Sequence, residues 1–215
     1  MNYLSWKEET IETDSPTLIS QKYAEGFVFT RKGKGVMQQT RSIRINLSHF
    51  ELSSENKRIL KKTDTINLKP VSLPLDSYDF SLGKVAKDFY ETKFGPGIMS
   101  AQKIKEMLTD VSKSNFNTLL TYSSLGNTIC YENSDILHYS YPFYDLKDSP
   151  KDMGMGMMVR AIEYAKQAGM KYIYLGSLQR PSDTYKLQFS GIEWFDGKEW
   201  STDIEKVKEI LATPQ

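Results

Sequence analysis

The chain changes its hydrophobic period several times, and each change predicts an element. Residues 26–47 (GFVFTRKGKGVMQQTRSIRINL) place Phe27 and Phe29, then Ile43 and Ile45, at the two-residue spacing of strands on either side of a Gly/Lys-rich turn. Ser53 or Ser54 can cap a helix, and the longer period that follows predicts one over 55–63. Residues 64–77 contain Pro70 and Pro74, which predict an extended connection. Val85, Phe89 and Tyr90 mark a helix over 81–94, closed by Gly95-Pro96-Gly97. Ser100 caps the next helix, which carries Ile104, Met107, Leu108 and Val111. A meander follows, with strands over 117–124, 128–132 and 136–144 and turns at Gly126-Asn127 and Asn133-Ser134-Asp135. On its last strand Tyr139, Tyr141 and Phe143 share one face, opposite His138 and Ser140. A helix over 154–168 then puts Met155, Met158, Val159, Ile162 and Ala165 on one face. A strand over 171–176, a hairpin turning at Asp196-Gly197 and a helix over 203–211 complete the order, while polar residues 1–20 predict a partly ordered lead-in.

A meander, then a helix, then a returning strand predicts an α/β (α+β) protein with a mixed, mainly antiparallel sheet flanked by helices. At 215 residues the chain can bury a real core. Its formal net charge of +1 supports no global argument, but charge is unevenly placed. Between Arg31 and Lys62 nine basic residues face only Glu51 and Glu55, a net charge of +7. Such a segment either meets phosphates or is a solvated face. One cysteine and two histidines exclude a disulfide framework and a Cys/His metal cluster, so no bound metal is expected. Cys130 reads as a small buried strand residue, and His138 as a partly buried strand histidine with nothing near it in sequence to orient it. No apolar run is long enough to span a bilayer, and the N-terminus has no secretory pattern, so the expected compartment is the cytoplasm, with no membrane partner.

The chemistry-bearing segment is KDMGMG at 151–156, ahead of the amphipathic helix. Gly154 and Gly156 let backbone come close to a ligand, and the N–H groups of a first helical turn suit an anion. The spacing is not G-x-G-x-x-G, and a meander stands where a dinucleotide fold needs a parallel unit. KDMGMG resembles the donor loop of the Gcn5-related N-acyltransferase superfamily. Phe143-Tyr144-Asp145, Tyr174-Leu175-Gly176, Tyr185-Lys186, Phe189, Glu193, Asp196-Gly197 and Trp200 resemble the C-terminal signature of the aminoacyl-tRNA–protein transferases, the arginyl and leucyl transferases of protein N-termini. Gly26-Phe27, Arg41 to Ile45, Phe50 and SSENKRILKK (53–62) resemble their N-terminal half, so the likeness covers most of 25–202. Where that family carries closely spaced cysteines, this chain has Val36, Met37, Gln38, Gln39 and Thr40.

The resemblance implies a lead-in over 1–20, a basic lobe over 21–75 and an acyltransferase core over 76–215. It implies transfer of arginine or leucine from a charged tRNA to the N-terminal amine of a protein or peptide, with no resident cofactor. Arg44, Lys57, Arg58, Lys61 and Lys62 would track RNA phosphates, and Lys151, Gly154 and Gly156 would hold the 3′ end. Asp145 is the first candidate base, with Glu193 second or merely a surface salt bridge. Tyr144, Tyr174 and Tyr185 would donate to the ester or shape the adenosine pocket, Lys186 would touch RNA, and Gly176 and Phe189 would bind the donor with them. Two other functions remain open: acyl transfer from acetyl coenzyme A to a small amine, and non-catalytic RNA binding.

Overall fold

The computed structural model describes residues 3–213. In chain order the elements are β1 (Lys7–Thr10), α1 (Pro16–Ala24), β2 (Phe27–Phe29), β3 (Val36–Gln39), β4 (Ser42–Asn46), α2 (Ser54–Lys62), β5 (Leu68–Ser72), α3 (Phe80–Phe94) and α4 (Ala101–Thr109). They continue with β6 (Thr118–Tyr122), β7 (Gly126–Glu132), β8 (Ile136–Tyr144), α5 (Met153–Gln167), β9 (Tyr172–Ser177), a 3-10 segment Pro181–Gln188, β10 (Ile192–Phe195), β11 (Trp200–Ser201) and α6 (Ile204–Ala212). The chain is a mixed α/β protein whose strands pair mainly antiparallel, and it divides into two compact units.

The first unit takes the chain up to Ser53, Asn133–His138 and the part from Ala165 onward. Its small sheet runs β1-β3-β2, and its larger ladder runs β11-β10-β4-β9 and on to the first residues of β8, which pair parallel with β9. β4 (SIRIN) is buried on both faces. Its register sets Arg44 beside Glu193 on one side and Tyr174 on the other, so these three side chains share a sheet face. Ile43 and Ile45 point the other way and are fully buried, with Trp194 paired to Ile43. Gly26, with φ of 83°, ends the turn after α1; a side chain there would run into the Phe195 ring.

The basic stretch 26–47 thus forms three strands where two are expected. Ser42 N donates to Thr40 O at 2.6 Å in a tight turn that sends β3 and β4 into different sheets. The buried Thr40 and Arg41 side chains hold that turn by donating to Leu4 O and Leu178 O. Lead-in residues contribute β1, paired with β3 from Lys7↔Gln39 to Thr10↔Val36.

The second unit holds Ser54–Glu132 and Tyr139–Tyr164, with strand order β8-β7-β6-β5. Residues 68–72, expected as a connection, form an edge strand in which Pro70 faces Leu120. Proline's missing N–H is tolerated there because one side of an edge strand has no ladder to complete. β7 starts at Gly126, and the turn sits at 123–125 with Ser123 at φ of 53°. Ser100 caps its helix as expected, accepting from Lys103 N, and the structure adds Asp79 accepting from Ser81 N and, in the first unit, Asp203 accepting from Lys206 N. On α5 the fully buried positions of this unit include Met153, Met157, Val159, Ala161 and Ile162, whereas Met155, expected in the core, is only half-buried.

Candidate active site

In the second unit the end of β8 meets the start of α5. Tyr144 is half-buried, packs on Phe89 at 4.8 Å between ring centroids, and is held protonated by burial, which pushes its phenol up. Asp145 N donates to Leu125 O at 3.1 Å. The Asp145 carboxylate turns the chain into the next loop, Oδ1 accepting from Lys147 N at 2.7 Å and Asp148 N at 3.3 Å. Its Oδ2 carries no hydrogen bond among the described residues and stays open to a reacting proton.

The two glycines of KDMGMG fall inside the helix expected over 154–168. Both belong to the first turns of α5, and Gly156 N donates to Asp152 O at 2.8 Å. Packing calls for glycine at 156 but not at 154, where a Cβ would make only ordinary contact. A Cβ on Gly156 would stand 2.7 Å from Thr63 Oγ1, and one on Gly154 would stand 3.4 Å from Tyr144. Gly156 therefore lets α5 come close to the end of α2. The bend before α5 falls instead on Asp152, whose φ is 70° and whose carboxylate pairs with Lys62 at 3.4 Å. Lys151 is exposed.

α2 presents a cationic face. Lys57, Arg58, Lys61 and Lys62 are exposed, while Asn56 and Ile59 are buried. Arg58 is paired with Glu55 and Lys62 with Asp152, and no carboxylate among the described residues pairs with Lys57 or Lys61.

The first unit treats its candidate residues differently. Arg44, expected on phosphates, is buried: Nε donates to Glu193 at 2.7 Å, Nη1 to the Tyr174 hydroxyl at 3.3 Å, and the guanidinium lies 4.0 Å and 3.9 Å from the Tyr172 and Trp200 ring centroids. Glu193 is accordingly neither a free base nor a surface partner, since its side chain is only 16% exposed in that pair. Tyr174 is core, its phenol pushed up to about 12 by burial. Lys186, expected exposed, is half-buried and donates to Ser177 O at 2.9 Å beside Gly176; burial pushes its ammonium down. Phe189 is buried at 6.4 Å from Phe50, and Tyr185 is 46% exposed.

Among the described residues no three His, Cys, Asp or Glu side chains converge on a metal-sized site, and no helix is long and apolar enough to cross a membrane.

No family model matches the chain. Curated relatives do. The chain is 25% identical over 169 residues to the aspartate/glutamate leucyltransferase of Ruegeria sp. (strain TM1040), covering 74% of this chain and 61% of that one. It is 25% identical over 175 residues to the protein of the same name from Ruegeria pomeroyi, covering 76% and 63%. The chain thus spans about three fifths of the length of these two relatives. The solved structure of L-PGS from Bacillus licheniformis superposes with a TM-score of 0.45 at 9% identity, over 93% of this chain and 71% of its own, a likeness that carries no argument.

Two groups escape sequence reasoning. His138 has an orienting partner after all: it is buried, and Nδ1 lies 2.9 Å from the hydroxyl of Tyr23, which belongs to α1. The second is Arg160, a guanidinium within the apolar run of α5 that bonds to the end of α2. A lone arginine in such a run was the available signal. Cys130 is buried as expected, and burial pushes its thiol well up.

Proposed function

We propose that this chain transfers an aminoacyl group, leucine first among the candidates, from a charged tRNA to the α-amine of a protein or peptide, and that the core has the Gcn5-related N-acyltransferase fold. The carrying observation is the similarity of about three quarters of the chain to relatives named aspartate/glutamate leucyltransferase. By that name the acceptor sought first begins with Asp or Glu.

In this reading the amine nitrogen attacks the ester carbonyl, and the bond to the tRNA ribose oxygen breaks. Asp145 Oδ2 takes the proton from the attacking nitrogen and returns it to the leaving hydroxyl. The Tyr144 hydroxyl, protonated at neutral pH, is the donor available to the developing oxyanion. Lys57 and Lys61, without carboxylate partners among the described residues, supply phosphate contacts along α2, with Arg58, Lys62 and Lys151 beside them. Transfer from acetyl coenzyme A loses part of its support, because Gly156 serves the packing of α5 against Thr63.

Purified protein incubated separately with radiolabelled leucyl-tRNA, arginyl-tRNA and acetyl coenzyme A, each with peptides beginning with Asp, Glu or Ala, tests the reading. Label passing from leucyl-tRNA to an acidic N-terminus is the expected result. Label passing only from acetyl coenzyme A, or from no donor, overturns it.

A further inference from the structure

α2 is a poor helix to find in one place. It has nine residues, buries only Asn56 and Ile59, and sets Lys57, Arg58, Lys61 and Lys62 close together on its outer side. A helix this short is not stable alone, and like charges three or four residues apart push it further toward unfolding. Beyond that burial it is held by side-chain ties to α5 and to Asp152 just before it, the most numerous of them from Arg160.

The Arg160 guanidinium reaches across to the last turn of α2 and the residues after it. Nε donates to Ile66 O at 2.8 Å, Nη1 to Thr63 Oγ1 at 2.8 Å, and Nη2 to Thr63 O and, at 3.5 Å, to Leu60 O. Nη1 also donates back to Gly156 O on its own helix at 3.3 Å. Leu60 O and Thr63 O already accept one backbone N–H each, from Thr63 and Ile66, and the planar five-donor fork adds a second bond to both in one geometry where a lysine ammonium cannot. Two further ties act at the same seam: the contact that Gly156 permits with Thr63, and the Lys62–Asp152 pair.

We infer that Arg160 is a positioning residue that locks α2 onto the first turns of α5, so that the cationic face of α2 and the start of α5 meet an RNA as one rigid surface. This rests on the transferase reading, in which both helices serve the same charged tRNA. A half-buried cation that holds other cations in place has a use when an anion of fixed shape, such as the phosphate backbone, is to be met by all of them together. Arg160 touches neither the donor nor the acceptor; it sets the distance between groups that do.

The test compares two donors in the full chain, leucyl-tRNA and a leucylated trinucleotide corresponding to the tRNA 3′ end, too short to extend along α2. Arg160→Lys is expected to raise the Kd for leucyl-tRNA about tenfold and to flatten the dependence of log Kd on log salt. The single-turnover rate at saturating trinucleotide donor stays at the parent value. Lys61→Glu, costly in the parent, costs much less when Arg160→Lys is present, because a displaced α2 has already lost that contact. Equal weakening with both donors, or an unchanged salt slope with additive effects, overturns the inference and leaves Arg160 an ordinary helix clamp. If Arg160→Lys does not fold, Thr63→Val removes one acceptor at constant shape and is expected to move the salt slope in the same direction by less; a parental slope overturns the inference. Absence of transfer by the parent protein from either donor defeats the transferase reading instead, and the salt slope with uncharged tRNA then decides the role of Arg160 separately.

Discussion

Arg44 and Lys61 belong to one stretch of net charge +7, and their side chains meet opposite fates. Arg44 lies on a central strand of the first unit, where Glu193, Tyr174, Tyr172 and Trp200 surround its guanidinium. Lys61 lies on the outer face of α2 in the second unit, exposed and without a carboxylate partner among the described residues. Charge density along a sequence therefore does not identify a ligand surface. A cation is available to a phosphate only when the fold has not already satisfied it, and a strand buried on both faces forces its polar side chains to find partners inside.

The widest separation of these two regions comes from reversing the exposed cations. Arg58, Lys61 and Lys62 changed together to Glu should remove measurable tRNA binding at about 0.15 M salt, because the contact is electrostatic and counterion-driven. The protein should stay folded with a modest fall in melting temperature, since these side chains are exposed and only the Arg58–Glu55 and Lys62–Asp152 pairs are lost. Normal binding of charged tRNA by the triple variant across a salt series would make α2 a solvated surface and end the contrast.

Arg44→Met should give the opposite phenotype. Removing one partner leaves Glu193 as an uncompensated, largely buried carboxylate, at a cost of about 3 kcal/mol in unfolding free energy. Denaturant titration reads that loss. The salt slope of tRNA binding measured on the folded fraction should match the parent; a slope reduced by about one would return Arg44 to the phosphate contacts.

Chemistry sharpens the contrast further, since Asp145 keeps one oxygen open whereas Glu193 is engaged with Arg44. Asp145→Asn should slow single-turnover transfer about a hundredfold with little change in donor affinity. Part of the rate should return above pH 8 or so, where the α-amine is already deprotonated. Transfer at the parent rate with saturating donor would remove Asp145 as the base.

Local signals carried most of the fold. Ser100 accepts from its first turn as expected because a cap needs only a few adjacent residues, and the meander strands declare themselves by apolar runs between turns. β1 is invisible because Lys7-Glu8-Glu9-Thr10 has no apolar alternation and is held by its ladder to β3 and by the Lys32–Glu8 pair. Gly154 and Gly156 fall within the helix that the apolar period predicts over 154–168 although glycine weakens helices, and at Gly156 the close approach of Thr63 explains the choice. The same distinction governs the candidate site. Asp145 and the α2 lysines are legible as neighbours of a motif, whereas the enclosure of Arg44, the bonds from Arg160 and the partner of His138 depend on residues more than ninety positions away in sequence.

The smallest expected effect concerns His138, where the first unit again satisfies a polar group internally. Burial, with the nearby Lys186 charge, pushes its imidazole down to about 3, and its Nδ1 faces the Tyr23 hydroxyl. An unfolded histidine titrates near 6.5, so between those values the unfolded chain binds a proton that the folded chain refuses. The stability contributed by neutral His138 is thus fully present above about pH 6.5 and is lost as pH falls toward 3. Carboxylates complicate the lower part of that window. Glu8, Glu106 and Asp196 have depressed values, and their contributions disappear at still lower pH, so the span from pH 7 to about 5 isolates the histidine effect. Over that span the parent protein should lose about 2 kcal/mol that His138→Gln does not lose, measured as the difference between their unfolding free energies at each pH. Exposed His49 is common to both proteins and cancels. Parallel curves for parent and variant would show that the imidazole takes up its proton in the folded protein, and that Tyr23 encloses it less completely than Tyr172, Tyr174 and Trp200 enclose Arg44.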